Sequence, residues 1–297
     1  MPGPRFRICE WVLIAFFAYI VLITPYFRDR PNLQLHPVVI LICTYALVAL
    51  FAYGDGKQIA PAISYVRDWL PLGLTLIAFR EMELFMPKRF DYHLEQIWAR
   101  WDYQLLVNWH LRSVIESLGS VLPFYLELCY FFVYGVGGYC LLVLYFKEKR
   151  NCVDYFFTIY LTGTLLAYAL FPYFPSQPPR LVFPSLATPH ILTWMRHLNL
   201  AVLNAATIHV GVFPSAHVSS VFSAAWAMFL VLPKQKIYGW GLVFYGICVA
   251  LATIYGRYHY TADVLAGLGI SLVAGALALA LRIRGIVTGT ASPITRC

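Results

Sequence analysis

The sequence predicts an all-α, polytopic transmembrane bundle of about eight spans, the last six forming a core, with an amphipathic segment at the membrane interface. Two observations carry this expectation. Of 297 residues, 60% are hydrophobic and 12% charged, far from the averages of soluble domains. Apolar runs of about 17 to 25 residues, each long enough to cross a roughly 30 Å hydrocarbon core as a helix, recur along the whole chain and leave no room for a separate soluble domain.

Taken in order, the first run, 11–27, follows Arg5 and Arg7 and ends in Thr24-Pro25-Tyr26-Phe27. It has no small-x-small cleavage site and reads as a retained span, not a signal peptide. Runs 37–53 and 69–86 complete an N-terminal membrane region, 1–86. In the polar and aromatic stretch 87–122, Phe90, Leu94, Trp98, Trp101, Leu105 and Trp109 recur at helical spacing, with Lys88, Arg89, Asp91, Glu95, Arg100 and Asp102 between them. That pattern predicts a helix or helix pair on the membrane surface, and its sharper reading is a roof over a lipid-entry path. Runs 123–146, 153–172, 215–232, 237–255 and 263–281 fill the region 123–282, and 283–297 is a polar tail. The long loop 173–214 opens Tyr173-Phe174-Pro175-Ser176-Gln177-Pro178-Pro179-Arg180, too proline-rich at its start for a helix, with a short helix expected near 190–206.

An even number of spans puts both termini on the cytoplasmic side. Lys147, Lys149 and Arg150, then Lys234 and Lys236, then Arg282 and Arg284 share one face, which the positive-inside rule makes the inner one. The loop 173–214, the start of the run at 215 and the turn 256–262 then converge on the outer, extracytoplasmic face. The net charge of +8 is scattered without a basic run, which excludes nucleic acid as a partner and suits contact with anionic headgroups. The seven cysteines (Cys9, Cys43, Cys129, Cys140, Cys152, Cys248, Cys297) show no Cys-x-x-Cys pair and predict neither a disulfide framework nor a metal site. Thr295-Arg296-Cys297 makes no prenylation box.

Chemistry concentrates at the mouths of two apolar runs. Ser215 and His217 stand in Phe213-Pro214-Ser215-Ala216-His217, and His259 and Asp263 stand in Tyr258-His259-Tyr260-Thr261-Ala262-Asp263. Four residues apart on a helix, His259 and Asp263 share a face, so the carboxylate can accept the imidazole N–H and orient the ring as nucleophile or base. His217 can supply the complementary acid. Ser215 opens its run, where free backbone N–H groups favour an anion, and Arg180 adds a guanidinium. Phosphoryl transfer fits this set best: a histidine attacks phosphorus, a second histidine protonates the leaving alkoxide, and fixed donors stabilise the equatorial oxygens. These donors require neither metal nor cofactor.

The same residues resemble the type 2 phosphatidic acid phosphatase superfamily of membrane lipid phosphatases and phosphotransferases. Its second motif, Pro-Ser-x-His, matches Pro214-Ser215-Ala216-His217; its third, ending His-x-x-x-Asp, matches His259 to Asp263, followed by Val264-Leu265-Ala266-Gly267. The resemblance covers roughly residues 90 to 282. It implies that His259 is the nucleophile that becomes phosphorylated, Asp263 its orienter and His217 the general acid. The first motif, Lys-x6-Arg-Pro, is replaced by Gln177-Pro178-Pro179-Arg180, and the third-motif arginine position holds Thr253, with Arg257 standing two before His259. Arg180, Ser215 and Arg257 are therefore the candidate phosphate ligands. The Pro-Pro segment and the Tyr255-x-x-x-His259-Tyr260-x-x-Asp263 form look more like the branch containing inositol phosphorylceramide synthases.

The expected activity is that of a lipid phosphatase, or of a transferase moving a phospho-headgroup such as phosphoinositol between lipids; the expected partners are a lipid substrate and the bilayer. A non-enzymatic membrane transporter is the alternative of another class, and it predicts polar residues in mid-span, not at the outer ends. Arg196, His190, His197 and His209 sit in the loop that covers the site, where ordinary surface placement is expected ahead of headgroup recognition, and His36, His93 and His110 read as surface residues. Glu127, inside an apolar run, is a functional suspect by position.

Overall fold

The computed structural model describes residues 5–30 and 33–287, with side chains to residue 281. The side chains of Arg282 and Arg284, and Thr295, Arg296 and Cys297 of the tail, lie outside the described residues. Among those described there is no strand. The helices are α1 (Ile8–Ile23), α2 (His36–Gly56), α3 (Pro61–Glu81), α4 (His93–Tyr103), α5 (Leu111–Glu116), α6 (Val121–Phe132), α7 (Val136–Phe146), α8 (Val153–Leu170), α9 (Pro179–Val182), α10 (Trp194–Ala206), α11 (Ala216–Val231), α12 (Ile237–Tyr255) and α13 (Thr261–Val287).

Six helices are long and apolar enough to cross a membrane: Ile8–Phe27, His36–Gly56, Val121–Phe146, Arg150–Leu170, Ile237–Tyr255 and Thr261–Leu281. This is an integral membrane protein. The other two expected spans are also helical but differ in kind. Helix α3 carries Arg67, Asp68, Arg80 and Glu81 along its length, and α11 has 16 residues. Helix α2 turns Val38, Val39, Ile42, Leu50 and other apolar side chains outward, as a lipid-facing surface requires.

Helix α8 is the hub, packed against α1, α3, α11 and α13 and buried along almost its whole length. Its threonines are compatible with that burial because Thr158, Thr162 and Thr164 each donate to a carbonyl four residues back. Small residues let α11 close on α8. Ser219 Oγ donates to Gly163 O at 2.8 Å, and any side chain at 163 would collide with Ser223 Oγ.

One expectation needs correction. The start of loop 173–214 does contain one turn of helix, α9, with Pro179 in its first turn, where a missing N–H is harmless. Segment 87–122 holds α4 and α5, with Trp98 buried, Trp101 and Trp109 exposed, and two of its acids, Glu95 and Asp102, buried. Asp102 meets a buried arginine from the α12–α13 turn. Cys9, Cys43, Cys129, Cys140 and Cys248 are free.

Candidate active site

The site is assembled where the start of α11 meets the turn between α12 and α13. Ser215 caps α11: its backbone is extended and its Oγ accepts from Val218 N at 3.4 Å. Its own N–H donates to Asp263 O at 2.9 Å, so the two motifs are bonded to each other through the backbone. Gly267 makes this possible, because a Cβ there would lie 2.5 Å from Ser215 O. The His217 and His259 rings consequently stand 5.5 Å apart, centroid to centroid, at 84°.

Thr253 anchors the turn before His259. Its carbonyl accepts from Tyr258 N at 2.9 Å and His259 N at 3.1 Å, and Arg257 takes a left-handed φ of 60°. Asp263 then reaches back, its Oδ2 accepting from Tyr260 N at 2.8 Å, as an acid in the first turn of a helix does. The same oxygen lies 3.2 Å from His259 Nδ1, which also lies 2.9 Å from Val212 O. A carbonyl can only accept, so Nδ1 carries the proton and the Nε2 lone pair is free. Burial, helped by the nearby His217 and Arg180, holds the His259 imidazole well below its usual range, favouring the neutral form a nucleophile needs.

His217 is held edge-on by Tyr130 and Tyr134, at 5.4 and 5.1 Å between centroids. Tyr130 in turn stacks on Tyr258 at 4.0 Å. The guanidinium of Arg180 sits 5.5 Å from the Tyr258 ring centroid and forms no ion pair among the described residues. Its backbone N–H donates to Arg257 O at 3.2 Å, tying α9 to the catalytic turn.

Of the six expected residues, Ser215, His217, His259, Asp263 and Arg180 cluster. Arg257 is engaged differently. Its Nη1 contacts Asp102 Oδ2 at 2.6 Å with both side chains fully buried, while its Nε and Nη2 have no partner among the described residues. Asp102 Oδ1 accepts from Thr261 N and Oγ1 at 2.9 and 2.7 Å, so this carboxylate pins α4 to the start of α13. Burial raises its carboxyl against the opposing pull of Arg257 and Thr261.

Sequence reasoning missed Asp102, Asn199 and Tyr258 as neighbours of the site, and expected Arg196 on the surface of the covering loop where the structure buries it. Arg196 and Asn199 stand three apart on α10, a spacing that puts both on one helix face and could have signalled a buried polar contact. Nothing marked Tyr258 or Tyr130 among the 21 tyrosines. Beyond Trp98, which stacks on Phe213 at 4.9 Å, a cavity of about 420 Å³ is lined by Arg30, Arg89, Asp91, His93, Glu95 and Ser176 among others. Glu95 Oε1 there is buried without a partner.

The profile of the PAP2 superfamily matches residues 96–277, more than half of the chain and the whole of this site. The chain belongs to the PAP2 superfamily. It is also similar to a PA-phosphatase related-family protein of Dictyostelium discoideum, 38% identical over 69 residues, which is 23% of this chain and 12% of that protein's own length. No solved structure matches it. Membership in the PAP2 superfamily fits a membrane-embedded phosphatase or phosphotransferase.

Proposed function

We propose that this PAP2-superfamily member cleaves a phosphate ester or phosphodiester of a lipid by way of a phosphohistidine. The observation that carries the reading is the His259 tautomer: with Nδ1–H committed to Val212 O and Asp263, Nε2 is free to attack, and the His217 ring stands 5.5 Å away. In the first step the His259 Nε2–P bond forms as the P–O bond to the leaving group breaks, and His217 gives its proton to the departing oxygen. In the second, neutral His217 takes a proton from the incoming water or alcohol, whose oxygen displaces His259 from phosphorus. Arg180 and the amides at the start of α11 offset the charge on the equatorial oxygens. Arg257 contributes through its unpartnered edge or by holding the turn on Asp102.

The polar cavity beyond Trp98 supports a second reading, transfer to an alcohol. Carboxylates and guanidiniums around an indole suit a hydroxyl-rich acceptor or headgroup, as in the inositol phosphorylceramide synthase-like branch. A transporter accounts less well for a histidine oriented by an acid at the end of a helix. We further infer eight spans, with α3 crossing because its Arg67 and Asp68 are paired and α11 crossing inside the bundle. Chain alternation then puts Lys147, Lys149, Lys234 and Lys236 at the end opposite the histidines, which favours an extracytoplasmic site. The decisive experiment incubates the purified protein with a labelled phospholipid, quenches it, and maps phosphate to a residue. Label on His259, released to water or to added alcohols, supports the reading; turnover without it, or in His259→Ala, refutes it.

A further inference from the structure

Helix α10 is tied to α6 through one buried carboxylate. Glu127, 2% exposed, accepts from Arg196 Nη1 at 2.9 Å, Asn199 Nδ2 at 2.7 Å and Tyr258 Oη at 2.6 Å. Asn199 Nδ2 also donates to the Glu127 carbonyl at 2.8 Å. Apolar packing could fasten two helices as well as a buried ion pair does, so fastening alone does not account for this arrangement. One of its partners, Tyr258, borders the histidines. Tyr258 directly precedes His259 and stacks on Tyr130, which meets the His217 ring edge-on.

The guanidinium carbons of Arg196 and Arg180 lie 5.6 and 5.5 Å from the centroid of that one tyrosine ring. Glu127 balances one of these two positive charges, and the other has no counterion among the described residues. Two guanidiniums around a shared ring with a single carboxylate form an anion site, and a phosphate dianion would supply the missing charge. Meanwhile Thr253, fully buried with its hydroxyl given to Ala250 O, leaves the place of the third-motif arginine without a cation.

We propose that Arg196 is the second phosphate-binding guanidinium of this site, serving in place of the arginine absent at Thr253, and that Glu127 is the positioning residue that aims Arg196 and Tyr258. The proposal rests on the reading of the site as one that acts on phosphate esters. Arg196 and Arg180, brought in by α10 and α9 of the loop 173–214, would then grip equatorial oxygens from separate elements. A planar fork suits that task and a lysine does not, so Arg196→Lys tests geometry at constant charge.

The test uses the full chain in detergent with orthovanadate as phosphate analogue, reading both inhibition of turnover and ligand-induced thermal stabilisation. Arg196→Lys should weaken vanadate about ten- to a hundredfold, as loss of a charge-assisted contact does. Glu127→Gln should weaken it in the same direction, and in the Arg196→Lys background it should add little, because it acts through Arg196. A purely structural clamp predicts lower melting temperatures with an unchanged vanadate constant, and that result overturns the proposal, as does a parent protein that does not bind vanadate. The two readings separate cleanly. Label on His259 with a vanadate constant indifferent to Arg196 sinks only the present proposal; vanadate binding that depends on Arg196, without any phosphohistidine, upholds the anion site and sinks the mechanism.

Discussion

Charged residues are buried at both ends of this bundle, and the two clusters are built differently. At the end away from the histidines, Arg67 makes a bidentate pair with Glu10, 2.7 Å on each arm, and a third contact with Asp55 at 2.8 Å. Asp68 accepts from Arg7 and Arg150 at 2.6 Å each and from Tyr145 at 2.9 Å, while Asp154 caps α1 through Ile8 N and Cys9 N. Every charge there has a partner, and the contacts join α1, α2, α3, α7 and α8. At the histidine end, among the described residues, Arg180 has no counterion, Arg257 satisfies one of its three nitrogens, and Asp263 Oδ1 is buried without a partner. A closed network stabilises a fold; an open one keeps valences for something that arrives later.

Single substitutions at each end should separate these two roles. The largest effect belongs to the open end: His259→Ala should lower turnover of a lipid phosphate by at least about 10⁴-fold, with an unchanged melting temperature in detergent. A variant that lost turnover only by unfolding would show that the difference between the ends is not functional. At the closed end Arg67→Ala leaves Glu10 buried and uncompensated, and should lower stability by about 3–5 kcal/mol, read by detergent-phase thermal unfolding. Turnover per folded molecule should stay near the parent value. Loss of activity in the folded fraction would mean that the distal network reaches the site.

The contrast was only half visible in the sequence. His259 and Asp263 were legible because their pairing is local: four residues on one helical face settle which groups meet. The hydrophobic runs were legible for a similar reason, since a bilayer imposes a length that composition reveals. The partners of the buried arginines were not, because Arg196 finds Glu127 across 69 residues and Arg257 finds Asp102 across 155. No periodicity encodes such distances. Segment 87–122 hid its protein partners for a related reason. Its pattern signals two faces, but not that Trp98 and Asp102 turn toward protein while Trp101 turns away. Helix α11 shows the converse, a segment that can be short because its neighbours, not lipid, surround it.

A smaller effect should follow from loosening the joint that brings the motifs together. Gly267→Ala would press a methyl group against Ser215 O, 2.5 Å from the added carbon, and push the start of α11 away from α13. Overpacking of this kind costs about 1–3 kcal/mol, so the fold should survive. The His217–His259 spacing should not. Turnover is expected to fall more than stability does, measured as kcat against melting temperature on one preparation. An equal and modest loss of both would mean that the histidines tolerate a displaced helix.

The finest distinction between the two ends is electrostatic. In the proposed mechanism His259 attacks in its neutral form, and burial with the nearby His217 and Arg180 holds its pKa well below the usual 6.5. Protonation therefore removes the nucleophile only at lower pH, and the acid limb of kcat/KM, which reports the free enzyme, should lie below 6.5. The sign for stability runs the same way: the unfolded imidazole gains its proton near 6.5 and the folded one later, so stability declines as pH falls through that value. Because Arg180 depresses this pKa, Arg180→Gln should move the acid limb toward higher pH. Arg67→Ala, a bundle's length away and among charges that are already paired, should leave the limb where it is. A shift of equal size in both variants would mean that the field at His259 comes from the whole protein and not from the open cluster around it.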